Sequence, residues 1–583
     1  MLHNRRRGSA GRTLGQRVAA VGFVALTVAG CTSGGHSASQ SSTASSDAHL
    51  TALCAGFPGG GKASSMQAIG HKGGTLVEGH PTDLESYSPL SGGAEAWEFT
   101  TALIYDKLVD INPDDGNLYP DLASAVPTQA NGGISADGLT YTFKLRPGVL
   151  WADGSKFTAA DVAYEYTLLR NADVGSPFTS SVVARISSVT AASDNVVVFK
   201  LRQPVASFMF SNMYGIASMK VLSHFPAKSL ETSAFAKGDP AYTFGTGPFK
   251  FSSIKGGSAV VLSQNSRYFC GVPALQNYVF QSTSNFTSSL QLLESGQLDV
   301  AQISSSDVKA AKSAGLQTFN YNTLFSTNLL FNLSSGRATS DTLLRQALMD
   351  ALDIPAIAKG AGGGISPTDA GTVVTPSLIA PKSFAFGADP SLGGQQNLPA
   401  AVKLLQQAGY TKSGNQLVKD GKPVRLELWT IQGNPTRERA AAIIQQQWKL
   451  LGVQVDINTE DASAFEARYQ TSKNYDVAII GLLHSLDPDD LSQYYSGSGA
   501  LNYSHYDNPS VDALLAQGVS TPDVPARNAI YGKAEQQIIA DQPMPTLWFN
   551  GNVRAVSARV HNVVPNGIAL DVNRWNGAWW WIS

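Results

Sequence analysis

A helix placed directly before a strand, in the stretch 434–457, is the feature that limits the fold of this chain most strongly. Asn434 and Pro435 are typical of a helix start, because Asn caps free backbone amides and Pro fits the first turn. Apolar residues then recur at helical spacing, and Gly452 suits the left-handed residue that ends a helix. Residues 453–457 alternate between apolar and polar, as in a strand. This order predicts an α/β fold with a largely parallel sheet.

The same two periodicities appear elsewhere along the chain. Residues 139–146 and 196–199 have strand patterns, and the stretch 398–408 has a helical one. Thr158, followed by Asp161 three residues later, predicts a helix that begins with a capping box. No repeat of about 20–50 residues is present, which excludes repeat architectures.

Charge and hydropathy argue against two functional classes. The 583 residues hold 42 basic and 44 acidic side chains, a formal net charge of −2. Nucleic-acid binding is disfavoured, because no basic excess is present to displace counterions from a phosphate backbone. No apolar run of about 18 residues follows position 31, which excludes an internal membrane-spanning helix. At about 100–200 residues per domain, the length leaves room for three or four domains.

The first 30 residues have the pattern of a lipoprotein signal peptide. Five arginines and no acidic residue precede an apolar stretch at 18–28, which is too short to cross a bilayer but suits a signal sequence. Small residues before Cys31 resemble a bacterial lipobox, which makes Cys31 the lipidated first residue of the mature protein; an ordinary signal peptide is the alternative. Residues 31–71 predict a flexible tether. The mature chain would hold 37 basic and 44 acidic residues, a net charge of −7.

Two cysteines, Cys54 and Cys270, remain after the lipobox cysteine. An exported protein meets oxidising conditions, so these two residues are candidates for a disulfide. Two unpaired thiols are the alternative, because the sequence gives no distance between them.

No catalytic or metal-binding motif is complete. The stretch 56–62 has the spacing of a phosphate-binding P-loop, but Ala63 stands where a hydroxyl must reach Mg²⁺. Residues 110–121 resemble part of an EF-hand loop, but the glycine comes one residue late and Asp121 replaces the usual Glu. A solvated turn is expected there. The sequence therefore predicts no cofactor, no metal and no enzyme activity.

Residues 141–162 resemble the signature of the family 5 extracellular solute-binding proteins, the oligopeptide- and dipeptide-binding components of bacterial ABC importers. Further blocks of the family pattern follow in the same order, from about residue 72 to residue 550. These blocks lie at 245–249 with Asn265 and Tyr268, 344–353, 404–410, 437–455, 475–476, 506–512 and 527–545. The lipobox and tether agree with this resemblance independently.

The resemblance implies an α/β fold of the periplasmic-binding-protein type II-like class, with two main lobes, an extra family-specific region and an interlobe ligand cleft. Lobe I is expected from three segments, 72–100, 241–325 and 549–583. The family-specific region is expected at 101–240 and lobe II at 326–548. Two lobes joined by crossing strands are able to close around a ligand, and small-molecule sites concentrate in such clefts.

The resemblance also implies ligand contacts. Members of the family hold an extended peptide by backbone pairing with both lobes, which resembles strand addition. The lobe I segment maps onto residues 78–84, so Asp83 and Leu84 are expected contacts. The lobe II segment maps onto residues 480–484 and adds Gly481, Leu482, Leu483 and His484.

One departure from the family pattern bears on specificity. Peptide-binding members usually carry Gly-Trp after the lobe II strand and then an Asp that pairs with the α-amino group of the ligand. Here Leu482 replaces the Trp, Ser485 stands near the usual Asp, and Asp487 remains as a nearby carboxylate. Asp487 is therefore a candidate anchor for a ligand ammonium, or else the solvated start of a helix before Leu491.

The sequence predicts a monomeric, lipid-anchored solute-binding protein on the outer face of the cell membrane. It would deliver a small solute, with a peptide as the leading candidate, to the permease and ATPase of an ABC importer. Family relatives bind nickel chelates, glutathione, sugars or opines, so a non-peptide solute is the alternative. An exported hydrolase is the other alternative and would need, for example, a Ser beside a cleft His.

Replacing Cys31 by Ser tests the lipobox. We expect the Cys31→Ser protein to fold normally but to leave the membrane, because a lipid anchor contributes about 0.8 kcal/mol per buried CH₂ and the polar tether contributes nothing comparable. Cell fractionation followed by immunoblotting measures this, and Thr32→Ser is the matched control that keeps the anchor. Membrane association of the Cys31→Ser protein would count against the lipobox.

Overall fold

The computed structural model describes residues 69–80, 86–91, 103–112, 116–256, 259–381, 383–387, 394–564 and 576–583. The predicted signal peptide, the P-loop-like stretch, Cys31, Cys54, Asp83 and Leu84 lie outside these residues. Within the described ranges, no helix has the length and hydropathy that a membrane crossing needs.

The described residues form the following elements. The strands are β1 (Thr75–His80), β2 (Val109–Ile111), β3 (Leu118–Pro120), β4 (Thr140–Lys144), β5 (Ile186–Ser193), β6 (Val196–Leu201), β7 (Phe249–Lys255), β8 (Ala259–Gln264), β9 (Asn277–Ser282), β10 (Val300–Ile303), β11 (Gln317–Phe331), β12 (Thr411–Ser413), β13 (Gln416–Lys419), β14 (Lys422–Pro423), β15 (Arg425–Ile431), β16 (Gln454–Glu460), β17 (Val477–Leu483), β18 (Thr546–Val556), β19 (Val560–His561) and β20 (Trp581–Ile582). The helices are α1 (Ala159–Leu169), α2 (Thr179–Arg185), α3 (Phe208–Ser211), α4 (Met219–Leu222), α5 (Phe286–Glu294), α6 (Val308–Ser313), α7 (Thr342–Asp350), α8 (Ile354–Ala361), α9 (Leu398–Gln407), α10 (Pro435–Lys449), α11 (Ala462–Ala467), α12 (Leu491–Tyr495), α13 (Pro509–Ser520) and α14 (Val524–Asp541).

The largest sheet joins ten strands in the order β16-β15-β17-β11-β18-β10-β1-β9-β8-β7. β15 runs parallel to β16 and β17 in one half, and β1 runs parallel to β9 and β10 in the other. Between them, β11 and β18 pair antiparallel with each other and with their outer neighbours. The α/β prediction is confirmed, but the sheet is mixed rather than largely parallel. The two long strands and the β7-β8-β9 hairpins reverse direction within it.

Local sequence patterns predicted several elements correctly. α1 begins after Thr158, which forms both bonds of a capping box with Asp161. α10 begins after Asn434, whose side chain accepts a hydrogen bond from the third backbone amide of the helix. Gly452 follows that helix with φ +92°, and β16 then pairs in parallel with β15. Short-range capping and periodicity were therefore sufficient to place these segments.

Separate apolar cores lie in the two halves of the large sheet. One core combines residues from 76 to 300 with residues of the last 30 positions of the chain. Two other cores use only residues between 329 and 548, and they pack on opposite faces of β11 and β17. The first core joins residues of the expected lobe I and of the expected family-specific region, the other two lie in the expected lobe II, and the lobe boundaries stay a prediction.

Cys270 is 4% exposed and disulfide-bonded. Its predicted partner, Cys54, lies outside the described residues. The Cys54–Cys270 pairing therefore stays a prediction.

A buried polar cluster lies beside β2 and β3. Asp106 accepts a hydrogen bond from the Thr246 hydroxyl at 2.6 Å, and Asp121 accepts one from the Lys107 backbone amide at 2.8 Å. Asp121 is only 4% exposed, so the solvated turn expected around it is wrong at this residue, because its carboxylate is needed inside to satisfy a buried amide. Burial raises the pKa of Asp106 to about 7, and the Thr246 hydrogen bond acts in the opposite direction.

The buried Asp106 makes stability depend on pH. Because its pKa rises on folding, the folded protein holds a proton that the unfolded chain has released between about pH 4 and pH 7. The free energy of unfolding therefore falls as the pH rises through that window. One such proton corresponds to a slope of about 1.4 kcal/mol per pH unit. We expect Asp106→Asn, which keeps an acceptor for Thr246, to raise the thermal-unfolding midpoint more at pH 8 than at pH 5. The exposed Asp194→Asn is the control; equal shifts of the Asp106→Asn protein at both pH values would refute the assignment.

Candidate ligand-binding site

A cavity of about 250 Å³ lies beside β11 and β18, the paired strands in the middle of the large sheet, and Thr327 and Trp548 form part of its lining. Asn434 and Arg437, at the start of α10, line one side. Asn550 and Asn552 of β18, together with Ser305 after β10, line the other. Both halves therefore contribute walls, as expected for a cleft that holds a small solute.

Arg437 is the most unusual group of this cavity. Its guanidinium is half-buried and makes no hydrogen bond or ion pair with any residue in the described ranges. It lies against Gly481 of β17, where a Cβ atom would collide with Nη2. Burial lowers the pKa of Arg437, and Tyr469 acts in the opposite direction. A cation in the first turn of a helix also meets the positive end of the helix dipole, so this position favours an anionic partner.

β17 has an open edge beside this cavity. It pairs with β11 along its whole length, from Val477 to Leu483. β15, on the other side, pairs only with Val477 and Ala478. No strand in the described part of the chain pairs with residues 479–483 on that side. The Leu483 carbonyl accepts a hydrogen bond from the Tyr494 hydroxyl. The part of this edge that remains for strand addition by an extended ligand therefore lies around Gly481.

The four contacts predicted on this strand face in two directions, because side chains alternate along a strand. Gly481 lies beneath Arg437, and the half-buried Leu483 faces the same side. Leu482 is 5% exposed and packs into the core on the opposite face, and His484 is 4% exposed. The structure thus places Gly481 against Arg437, with Leu483 on the same side of the strand, and leaves the side chains of Leu482 and His484 behind the strand; their roles as ligand contacts stay predictions.

Asp487 also lies in the interior and is already paired. Its carboxylate oxygens lie 2.5 and 2.6 Å from two guanidinium nitrogens of Arg527. It caps the turn Pro488–Asp490 by accepting a hydrogen bond from the Asp489 amide. Burial alone would lower the pKa of Arg527, but the paired Asp487 carboxylate raises it overall. Asp487 therefore starts a helical turn inside the protein rather than in water, and a ligand ammonium would have to compete with Arg527 for it.

Asp489 links this turn to the segment expected as the family-specific region. Its carboxylate accepts hydrogen bonds from the Ser207 hydroxyl at 2.6 Å and from the Arg185 guanidinium at 3.0 Å. Beside it, the Ala206 amide donates to the carbonyl of Val519 at 2.9 Å. Residues far apart in the sequence are thus joined close to the end of β17.

In the predicted lobe I segment, 78–84, the structure describes residues 78–80, and Glu78 makes contacts inside the protein. Glu78 of β1 is buried, pairs with Arg554 at 2.9 Å and accepts a hydrogen bond from the Tyr278 hydroxyl. Asp83 and Leu84, the contacts expected there, lie outside the described residues. Their roles remain predictions.

A hydrogen-bonded Ser–His–Asp series lies behind β17. Ser326 Oγ is 2.8 Å from His484 Nε2, and His484 Nδ1 is 3.0 Å from Asp490 Oδ2, which is the order of nucleophile, base and orienting acid. Ser326 is 0% exposed, however, and its hydroxyl oxygen accepts a hydrogen bond from the Asn328 amide. A substrate has no access to this hydroxyl, so the series is a buried polar network. Among the residues that the structure describes, no cluster of His, Cys, Asp or Glu is arranged to hold a metal ion.

Sequence reasoning does not identify Arg437 as a site residue. The local signal is weak: a cation occupies the first turn of a helix that follows a strand, where the helix dipole disfavours it. Many such residues have a carboxylate partner elsewhere in the chain. The lack of a partner becomes visible only when the fold is known.

The model of the bacterial extracellular solute-binding proteins, family 5 (Middle), matches residues 117–503. The chain is 26% identical over 520 residues to the oligopeptide-binding protein AppA of Bacillus subtilis, and the match covers 86% of this chain and 92% of AppA.

Solved structures have the same fold. The ABC transporter substrate-binding protein CtaP from Listeria monocytogenes matches with a TM-score of 0.76 at 25% identity, over 88% of this chain and 99% of CtaP. Bacillus subtilis AppA, solved in complex with a nonapeptide, matches with a TM-score of 0.70 at 25% identity over the same shares. NikZ from Campylobacter jejuni, solved in complex with Ni(L-His), has a TM-score of 0.71 at 23% identity over 87% of this chain and 99% of NikZ, and this likeness concerns the fold alone. The periplasmic-binding-protein type II-like fold is confirmed.

These matches exclude the exported hydrolase, because proteins of this family bind solutes and do not transform them. They act outside the cytoplasm as the substrate-binding components of ABC importers. The matched stretch spans more than half of the 583 residues and agrees with the sheet and cleft described above. The chain belongs to family 5 of the bacterial extracellular solute-binding proteins.

Proposed function

We propose that this protein is a lipid-anchored component of an ABC importer that captures its solute through a free carboxylate, with a peptide as the leading candidate. The observation that carries the proposal is Arg437, a half-buried cation without an anionic partner in the described site. The lipid anchor rests on the sequence around Cys31. The preference for peptides rests on the similarity to AppA and on the open edge of β17.

A carboxylate is the natural partner of this guanidinium. A buried charge is unfavourable unless it is paired, and an Arg binds a carboxylate through two parallel hydrogen bonds. The polar side chains of Ser305, Asn550 and Asn552 lie around the same cavity and are able to hydrogen-bond the rest of a polar ligand. The terminal carboxylate of a peptide aligned along β17 would meet these groups.

Apolar surface lies next to the cation. Phe325 is 39% exposed and pairs across the strands with the half-buried Leu483. A large apolar side chain that is left in water inside a cleft gains free energy when a ligand covers it. The ligand is therefore expected to carry an apolar group close to its carboxylate.

The amino end of the ligand lacks an equally free anchor in the described site. Asp487 is held by Arg527 with both carboxylate oxygens. Removing one partner of a buried pair is strongly destabilising, so exchange of Arg527 for a ligand ammonium is disfavoured. Asp83 stays a candidate anchor on lobe I.

Capping the two ends of a peptide separates these roles. We expect C-terminal amidation to weaken binding about 10- to 150-fold, because a charge-assisted contact contributes about 1.5–3 kcal/mol. N-terminal acetylation should change the affinity little. Arg437→Gln should weaken binding of the free carboxylate by a similar factor and make amidation irrelevant. Calorimetry with a nonapeptide of mixed sequence in its free, acetylated and amidated forms measures these effects, and Lys449→Gln, at the exposed far end of α10, is the control.

Other outcomes would identify other anchors. A loss of affinity on acetylation that vanishes in Asp487→Asn would contradict the proposal and make Asp487 the anchor; the same result in Asp83→Asn would place the anchor on lobe I. If no peptide binds, mass spectrometry of the solute released from natively purified protein distinguishes nickel chelates, sugars and opines. An Arg437→Gln protein that binds this solute normally would refute carboxylate capture.

Ligand should also shift the protein towards a closed form, because only that form contacts the solute from both lobes. We expect small-angle scattering to give a smaller radius of gyration with ligand than without it. Asp489→Asn, which weakens the bonds to Ser207 and Arg185, should enlarge the ligand-free protein more than the ligand-bound one. An unchanged radius of gyration in protein that has demonstrably bound ligand would contradict hinge closure.

A further inference from the structure

A second cavity, of about 420 Å³, lies apart from the site of Arg437. All residues around it belong to the stretches 349–395 and 538–546, and none of them lines the cavity beside Arg437. The half of the large sheet that contains β1 and β7–β10 contributes none of the residues that line this cavity. Carboxylate capture between the two halves therefore makes no use of this cavity.

Three oxygen-bearing groups in this cavity lack partners within the described ranges. The carboxylate of Asp350, the last residue of α7, makes no hydrogen bond or ion pair there. Thr546 is 4% exposed and its hydroxyl is buried without a hydrogen-bond partner. The side-chain carbonyl oxygen of Gln542 is also buried and unpartnered. Each of the three groups is able to accept a hydrogen bond, and leaving it unmade is unfavourable.

The surroundings of the Asp350 carboxylate favour a positively charged partner. Burial raises the pKa of the Asp350 carboxyl. An anion at the C-terminal end of a helix is also disfavoured by the helix dipole. The nearby Arg345 does not compensate it, because its guanidinium donates to the backbone carbonyls of Asp541 and Gln542 at the end of α14. The Asp350 charge is therefore left for a ligand.

Most of the remaining lining is apolar, and Thr375 and Gln395 are its other polar residues. The apolar walls are formed mainly by Met349, Ile354, Leu378, Phe386, Ile538 and Met544. Sites for small molecules combine such walls with a few convergent polar groups. The three unpartnered groups of the lining are all able to accept hydrogen bonds, so the matching ligand has a donor-rich cationic head and an apolar body.

We propose that this cavity is a second binding site, which takes a small organic ammonium compound with a short aliphatic or aromatic body. The ammonium group donates hydrogen bonds to Asp350, Gln542 Oε1 and the Thr546 hydroxyl, and the body lies against the apolar walls. A carboxylate ligand is repelled by Asp350. A bare Ca²⁺ or Mg²⁺ ion is disfavoured, because a single carboxylate falls short of the six or more oxygen ligands that such ions take.

Calorimetry with n-hexylammonium chloride as the probe tests this site, and 1-hexanol is the matched neutral probe. We expect saturable one-to-one binding of hexylammonium to the full-length mature protein, and binding of hexanol that is weaker by about tenfold or more. Asp350→Asn should weaken hexylammonium binding by a similar factor, and Ile539→Trp, which fills the cavity, should abolish it. Asp420→Asn, an exposed carboxylate elsewhere, and Arg437→Gln should leave it unchanged.

The variants distinguish this site from the interlobe one. Thermal unfolding checks that each variant is folded, and Asp350→Asn carries the test by itself if Ile539→Trp does not fold. Three outcomes would overturn the proposal: no saturable binding to the wild-type protein, equal affinities for hexylammonium and hexanol, or loss of binding in Arg437→Gln rather than in Asp350→Asn. Failure of carboxylate capture at Arg437 leaves this test unaffected.

Discussion

The antiparallel pairing of β11 with β18 is the contact on which the rest of the structure depends. Both strands run through the middle of the ten-stranded sheet and connect its two halves. Their register shifts between Asn322 and Ser326, where three residues of β11 lie opposite one residue of β18. A bulge of this kind bends strands and increases their local twist. The cavity of the candidate site lies next to this bend, since Thr327 of β11 and Asn550 of β18 both line it.

Some buried charged side chains of this protein have an oppositely charged partner, and Arg437 has none in the described ranges. We interpret the paired side chains as structural and Arg437 as a candidate ligand contact. Asp487 is matched by Arg527, and Glu78 is matched by Arg554. Breaking such a pair costs about 3–5 kcal/mol, so these side chains are poorly suited to exchange with a transient ligand. Arg437 has no such partner in the described ranges, so the proposed carboxylate of the solute would supply the missing partner.

The Ser326–His484–Asp490 series shows the same contrast for a hydroxyl group. Its distances are those of a catalytic array, yet the hydroxyl is completely buried and hydrogen-bonded to a neighbouring amide. A catalytic serine needs a hydroxyl that a substrate is able to reach, and the Ser326 hydroxyl is completely buried. The network instead ties the residue after β17 to β11, which fixes the strand whose free edge faces the cavity.

The amino-acid sequence by itself determined the elements and the order in which they follow. The capping box of Thr158 with Asp161 and the helix–strand unit at 434–457 were predictable because caps and side-chain periodicity act over a few residues. The ordered series of family blocks indicated the fold, and the ligand contacts that it implies on β17 stay predictions. The prediction of a largely parallel sheet was wrong, because the direction of β11 and β18 depends on which distant strands they join.

Only the tertiary structure decided which charged groups are free. Asp487 and Arg527 stand 40 residues apart in the sequence, and nothing local marks them as partners. Asp121 likewise reads as part of a solvated turn and is buried against a backbone amide. In the sequence, Arg437 and Asp350 look like ordinary charged residues of a helix, and nothing local indicates that they lack partners. Pairing depends on distances in space between residues that are remote along the chain, and local sequence patterns carry no information about those distances.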